Sequence, residues 1–303
     1  MRRAFHTLDV FTKSRHQGNP LAVVLESEGL DDGAMHAIAR EFNLPETVFV
    51  LPPAYSLNTA RIRIFTPAAE LPFAGHPTIG TAVLLAELRA NVMLGGPGVS
   101  IALEEKIGLV SVDVRRQQGQ VSRAVFSLPV LPSMVPFEPD VTAIARAIGL
   151  EPLDIGFGAH GVSAWSAGVP FVMVPVCSLD AIGRAHVADI SGWRSVFGQV
   201  GLGAAYLYTR ETNDPQHHIH ARMFAPLNGI PEDPATGSAA AAFAGVAATC
   251  ELPEDGVHQL VIEQGYEMGR PSQIALDLDI QRGRLVAASI GGSAVRVSEG
   301  FLL

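Results

Sequence analysis

The chain carries the same short motif twice, and this duplication constrains its fold more than any other feature. His76-Pro77-Thr78-Ile79-Gly80-Thr81-Ala82 aligns position for position with Asp233-Pro234-Ala235-Thr236-Gly237-Ser238-Ala239, 157 residues later. Upstream, Arg63-Ile64-Phe65-Thr66-Pro67 aligns with Arg222-Met223-Phe224-Ala225-Pro226 at a spacing of 159, so the second loop is two residues shorter. A third echo, at a spacing of 150, pairs Gly18-Asn19-Pro20-Leu21-Ala22-Val23-Val24 with Gly168-Val169-Pro170-Phe171-Val172-Met173-Val174. Chance could supply one such echo. Three in the same order predict a duplicated domain, with a period far beyond the roughly 20–50 residues of solenoid repeats. A length of 303 residues suits two domains of about 150 each.

Each copy reads as strand, loop and helix. Arg61-Ile62-Arg63-Ile64-Phe65 alternates polar with apolar, the period of a half-buried strand, and Pro67 ends it. The matching stretch His217–Phe224 alternates less cleanly. After each loop comes a run, Ile79–Ala86 or Ala239–Ala248, that is apolar on every side, and a helix apolar all round must be enclosed. Candidate enclosing strands are Val99–Leu103, Leu109–Val114 and Gln120–Leu128 in the first copy, and Leu260–Glu263, Gln273–Ile280 and Arg284–Ile290 in the second. The expected fold is therefore α/β (α+β), with two pseudo-symmetric halves, each a curved, barrel-like β-sheet wrapped around a central helix. Residues 1–131 would form the first half, with its helix near 76–89, and residues 132–303 the second, with its helix near 236–250. Peripheral helices are expected at Asp32–Phe42, capped by Asp31 or Asp32, and at Asp140–Ile148. The stretch holding Pro129, Pro132, Pro136 and Pro139 is expected to link the halves.

Composition removes several function classes. Thirty acidic against twenty-one basic side chains give a net charge of −9, which repels nucleic acid and anionic bilayers. The N-terminus has Arg2 and Arg3 but then alternates apolar with polar residues, unlike a signal peptide. The longest apolar run, Ala239–Ala248, falls short of the roughly 20 residues that span a membrane. Cys177 and Cys250 are the only cysteines, which suits a reducing cytoplasm. The expected partner is a small molecule, with no nucleic acid and no membrane.

Both motif loops deliver small polar residues to a helix start, where unpaired N–H groups and the helix dipole favour an anion. Gly75, His76, Gly237 and Ser238 are accordingly expected to bind a carboxylate in a cleft shared by the halves. Alternatively, Thr78, Thr81, Thr236 and Ser238 simply cap helices; the repetition favours function. His76 and Asp233 occupy matching places in the two motifs and are candidates for a base and an acid. Glu46 sits where a polar segment turns into the buried-type strand Thr47–Val50, and is either a proton carrier or a solvated loop carboxylate.

Three further patterns are set aside. Gly156-Phe157-Gly158-Ala159-His160-Gly161 fits a dinucleotide-binding pattern, but no strand precedes it and no helix follows. His217, His218 and His220 resemble a metal cluster, but on a strand only His218 and His220 share a face, and no further ligand follows at suitable spacing. No metal is expected. The two cysteines lie outside both motif loops and read as small apolar residues.

Taken together, Phe11, Gly18-Asn19-Pro20-Leu21-Ala22-Val23-Val24, Glu46-Thr47-Val48-Phe49-Val50, Phe73-Ala74-Gly75-His76-Pro77-Thr78-Ile79-Gly80-Thr81-Ala82 and Glu232-Asp233-Pro234-Ala235-Thr236-Gly237-Ser238-Ala239 resemble the PhzF-like phenazine biosynthesis family over nearly the whole chain. The resemblance implies the diaminopimelate epimerase fold, a homodimer, no cofactor, and a last strand near Ala294–Phe301 that crosses back to the first half. It also implies an isomerase in which Glu46 shuttles a proton while His76, Asp233 and Ser238 assist and orient a small carboxylate-bearing substrate. The family's characterised reaction isomerises a dihydro-hydroxyanthranilate. Racemases of the same fold use a cysteine in each repeated loop. Neither loop here has one, and Ser and Thr hydroxyls are poor acids and bases near neutrality. The competing readings are an epimerase in which Glu46 and a residue such as Asp233 face opposite sides of an acidic carbon, and a metabolite-binding protein without turnover.

Overall fold

The computed structural model describes residues 2–90, 98–116, 121–251 and 254–303. The chain forms two compact units, one running to Ser127 and taking in Gly291–Leu303, the other spanning Leu128–Ile290. In chain order the first unit holds β1 (Arg3–Val10), β2 (Asn19–Val24), α1 (Asp32–Phe42), β3 (Glu46–Leu51), β4 (Ala60–Phe65), β5 (Glu70–Leu71), α2 (Gly75–Ala90), β6 (Val99–Glu105), β7 (Gly108–Arg115) and β8 (Arg123–Ser127). The second holds β9 (Ser133–Met134), α3 (Val141–Ala147), β10 (Ser163–Ser166), β11 (Pro170–Pro175), α4 (Leu179–Arg184) and α5 (Ile190–Phe197). It continues with β12 (Ala205–Thr209), β13 (Ile219–Ala225), β14 (Ile230–Asp233), α6 (Gly237–Cys250), β15 (Gly256–Gln264) and β16 (Ser272–Gln281). The last strand, β17 (Arg284–Leu302), starts in the second unit and ends in the first.

In the first unit β1 pairs with β2, β2 runs parallel to β3, β3 pairs with β4, β4 runs parallel to β6, and β6, β7 and β8 form a meander. Strand β17 pairs with both β1 and β8, which closes the ring into a barrel. Helix α2 fills it. Its residues Gly75–Ala86 are all buried, as an all-apolar helix requires. Gly80 is where α2 presses on the barrel wall, since a Cβ there would lie 2.6 Å from Leu21 Cδ2 and 2.8 Å from Val10 Cγ2.

The second unit repeats this pattern. Strands β11 and β12 are parallel, β12 and β13 antiparallel, and β13 and β15 parallel, around a buried α6. The register is the same residue for residue: Ala22 faces Thr47 as Val172 faces Ala205, Phe49 faces Arg63 as Leu207 faces Arg222, and Arg61 faces Glu104 as His220 faces Glu263. Alanines let α6 approach closely; a Cβ on Gly245 would lie 2.3 Å from the Trp165 ring.

Outside each sheet lies a helical layer. Met35 and Ala39 of α1 pack on Val24, Phe49 and Phe65. Asp31 caps α1 by accepting from the Ala34 N–H, Asn43 ends it in the left-handed conformation, and Asp140 caps α3. Helices α4 and α5 were not legible as helices because they are short, though Ser178 and Asp189 cap them in the usual way. They bring Ile182, Trp193 and Phe197 onto Val172 and Leu207. The proline-rich stretch is more than a linker, since it contains β9, which pairs with β10. The strand expected at His217 begins at Ile219, and the one expected at Gln120 starts outside the described residues. Among the described residues no helix is long and apolar enough to cross a membrane.

Candidate active site

The chemistry in the first unit gathers where β3 begins and α2 begins. Glu46 is the first residue of β3, held beside Leu21 of β2, and its side chain is only 12% exposed. His76 is the second residue of α2 and is buried. Its Nε2 lies 3.2 Å from Glu46 Oε2. Pro20 offers only a carbonyl, so the bond between Pro20 and the ring is donated by the imidazole. Nε2 takes no hydrogen bond, which assigns that donor as Nδ1–H. Burial pushes the ring's pKa down to about 3, favouring neutral imidazole, so Nε2 faces Glu46 as an acceptor. Glu46 is thus no solvated loop carboxylate but a part-buried one set against a neutral ring.

In the second unit Asp233 ends β14 and is buried, and Oδ2 accepts from Thr236 Oγ1 at 2.5 Å. Thr236 occupies the N-cap position of α6 but makes no side-chain cap bond; its hydroxyl is turned to Asp233 instead. The reading of Thr236 as a simple cap is thereby corrected. Gly237 is the first residue of α6 and Ser238, half-buried, the second. The two motifs also differ in backbone. His76 lies inside its helix, since Pro77 is tolerated in a first turn that needs no N–H from it, whereas Asp233 precedes its helix by a short loop that Thr236 braces.

The repeated arginines anchor both loops. Arg63 makes a two-pronged ion pair with Glu70 at 2.7 Å on each side. Arg222 does the same with Glu232, next to Asp233, at 2.8 and 2.9 Å. Arg222 is the more deeply buried and also donates to the carbonyls of Ile182 and Ala185 at the end of α4.

The position corresponding to Glu46 in the second unit, set by the shared register, is the buried Ala204. Only the first unit supplies a carboxylate there.

Sequence reasoning missed how the second unit uses its histidines. His217 and His220, not His218 and His220, converge: both Nδ1 atoms meet Glu263, at 2.6 and 2.7 Å, and His220 Nε2 meets Glu267 at 2.9 Å. Burial alone would lower the His220 pKa and raise that of Glu263, but it is outweighed by the hydrogen bonds of His220 to Glu263 and Glu267, and of Glu263 to His220, Asn213 and His217, setting His220 at about 9 and Glu263 at about 2. With both its nitrogens engaged, His220 is a buried imidazolium. Among the described residues no group of three or more His, Cys, Asp and Glu is arranged to hold a metal ion. The glycine-rich decoy is a tight turn in which Phe157 and His160 bond each other's backbones, and His160 bonds Tyr208 and Glu251.

Residues 8–300 match the family described as phenazine biosynthesis-like protein. An uncharacterized isomerase of Mesorhizobium japonicum is 50% identical over 303 residues, 99% of this chain and 98% of the relative. The trans-2,3-dihydro-3-hydroxyanthranilate isomerase of Pseudomonas chlororaphis is 32% identical over 299 residues, 98% of each chain. Among solved structures, a phenazine biosynthesis protein of the PhzF family from Bacillus anthracis superposes with a TM-score of 0.88 at 28% identity, covering 100% of this chain and 99% of its own. The duplicated sheet around a central helix, together with these relatives, defines an isomerase of the diaminopimelate epimerase fold. Within that class, the chain belongs to the PhzF-like phenazine biosynthesis family.

Proposed function

We propose that this isomerase moves a proton between two carbons of a small unsaturated ring carboxylate, and that trans-2,3-dihydro-3-hydroxyanthranilate, the substrate in the name of its Pseudomonas relative, is the compound to test first. The observation that carries the reading is the buried approach of Glu46 to a neutral His76, with no acidic counterpart at Ala204. A two-base racemase needs a second proton carrier; a shuttle needs one. Glu46 removes a proton from an acidic ring carbon, the electron pair of that C–H bond enters the ring π-system and shifts the double bond, and Glu46 returns the proton to a second carbon. Nothing is oxidised and no co-reactant is consumed. His76 orients the travelling proton through Nε2. Asp233 and Ser238 are assigned to binding polar groups of the substrate, the role the family resemblance implies for them. The repeated motif and the family relationship support this division of roles.

Turnover in deuterium oxide tests it. The expected product carries solvent-derived deuterium at the carbon that gains the proton, with a shifted double bond. Inverted chirality with the double bond unmoved would replace the shuttle by an epimerase, and neither label nor product would favour a binding protein. We also propose a homodimer in a reducing cytoplasm, as the family resemblance and the free thiols of Cys177 and Cys250 suggest; a sedimentation mass equal to one chain would exclude the dimer.

A further inference from the structure

Glu105 and Gln264 end β6 and β15 and hold the same place in the two halves. Arg61 faces Glu104 as His220 faces Glu263, each pair joining parallel strands, and the next residue in each half is Glu105 or Gln264. Both are buried, and both reach a threonine in the motif that opens the central helix. The Gln264 amide uses both ends: Oε1 accepts from the Thr236 N–H at 3.1 Å, while Nε2 donates to the Asp233 carbonyl at 2.7 Å and to Thr236 Oγ1 at 3.1 Å. With its oxygen accepting from Gln264, the Thr236 hydroxyl directs its one proton to Asp233 Oδ2. Gly265 lets the strand end this close, since a Cβ there would lie 2.5 Å from the Pro234 carbonyl oxygen.

In the first half, Glu105 Oε1 lies 2.7 Å from Thr78 Oγ1, and the same hydroxyl lies 2.8 Å from the Ala74 carbonyl. One hydroxyl has one proton to give. Both contacts are hydrogen bonds only if Glu105 is the protonated acid, donating to Thr78 Oγ1 while Thr78 donates to Ala74. Burial, the largest cause, pushes the Glu105 carboxyl up to about 8, so the acid form prevails at neutral pH. Its other oxygen, Oε2, is buried without a partner, which further disfavours the anion. The charged neighbours are turned elsewhere: Glu104 to the N–H groups of Ala54 and Tyr55 and to Asn58, and Lys106 to Glu70. Neutral Glu105 is thus the chemical counterpart of the Gln264 amide.

We propose that Glu105 and Gln264 are matched positioning residues, each fastening through a threonine the helix-opening motif that carries His76 or Asp233. The inference rests on the roles given above to His76 and Asp233, so its test reads loop geometry apart from turnover. Nuclear magnetic resonance of the intact protein follows the His76 ring and the Thr78 amide between pH 6 and 9.5. The parent is expected to show a transition near pH 8 at both positions as Glu105 ionises and releases Thr78. Glu105→Gln should keep the neutral-pH signals and abolish the transition, while Glu105→Met should displace the His76 signals at every pH. Gln264→Glu should create a new pH transition at the Thr236 amide. Should Glu105→Met fail to fold, Glu105→Gln still decides: a transition that persists in it overturns the proposal, as do His76 signals unmoved in a folded Glu105→Met. Absent turnover of the dihydro-hydroxyanthranilate by the parent would refute the substrate and leave these readouts intact.

Discussion

Replacing Glu46 with Gln separates chemistry from structure at this site. The side chain is 12% exposed and its Oε2 lies 3.2 Å from His76 Nε2. Since Nδ1–H is committed to Pro20 and the buried ring is neutral, Nε2 is an acceptor, and a Gln amide N–H can donate to it without rearrangement. The fold should therefore lose no more than about 1 kcal/mol, the net worth of an ordinary hydrogen bond. What the substitution removes is the titrating proton. General acid–base catalysis typically supplies ~10²–10⁴ in rate, or about 3–5 kcal/mol of barrier, and kcat for the isomerisation should fall by that factor with KM little changed. Glu46→Leu is the contrast. It removes both the titrating group and the polar side chain facing Nε2, so the rate should drop at least as far, with no amide left to hold the ring. The assay is initial-rate kinetics paired with urea unfolding of the same preparations. A Glu46→Gln enzyme at the parental kcat would refute the proton-carrier role. A rate loss matched by unfolding would refute the claim that the effect is chemical.

Other outcomes follow from the same geometry. Arg222→Met should cost ~3–5 kcal/mol in urea unfolding, because it strands Glu232 and two buried carbonyls, whereas Arg63→Met, which strands Glu70 but no buried carbonyl and removes a more exposed arginine, should cost less; equal losses would contradict the burial argument. His220 titrates at about 9 in the fold, above its ordinary value near 6.5, so its share of stability is complete below about 6.5 and is lost as pH rises through 9. Glu263, held at about 2, contributes above about 4.5 and loses its share on acidification toward 2. A His220→Asn variant should lose the alkaline part of the Tm–pH profile; an unchanged slope would place the titration elsewhere. Gly245→Ala should destabilise by ~1–3 kcal/mol through overpacking against Trp165, and a neutral result in urea unfolding would mean that the helix shifts freely.

The fold was legible because burial leaves a periodic trace. The apolar runs after each motif loop could only be enclosed helices, and the alternation of Arg61–Phe65 could only be a half-buried strand; α2, α6 and β4 are those elements. Helix α1 was readable to the residue because Asp31 and Asn43 carry local capping chemistry. Helices α4 and α5 were not, since six and eight residues hold too few turns for a period to show against neighbouring strands. The meeting of His217 and His220 with Glu263 was equally out of reach. It depends on the parallel pairing of β13 with β15, and no spacing along the chain records which strands lie side by side.

The candidate site shows the same limit from the opposite side. His76 and Asp233 stand out as candidates because duplication wrote their motifs twice, but duplication also suggested equivalence, and the equivalence breaks down in the side chains around them. In one register the first half places Glu46, Arg61 and Glu105 where the second places Ala204, His220 and Gln264. Each exchange points the same way. The half with the proposed proton carrier keeps a neutral imidazole beside it and an uncharged acid behind its motif. The other half holds its loop with an amide, a hydroxyl and a two-pronged arginine pair, and balances an imidazolium against two carboxylates. Under the proposed shuttle, the two copies of one fold divide proton movement from fixed electrostatics, which is the division expected when one carboxylate must both remove a proton and return it.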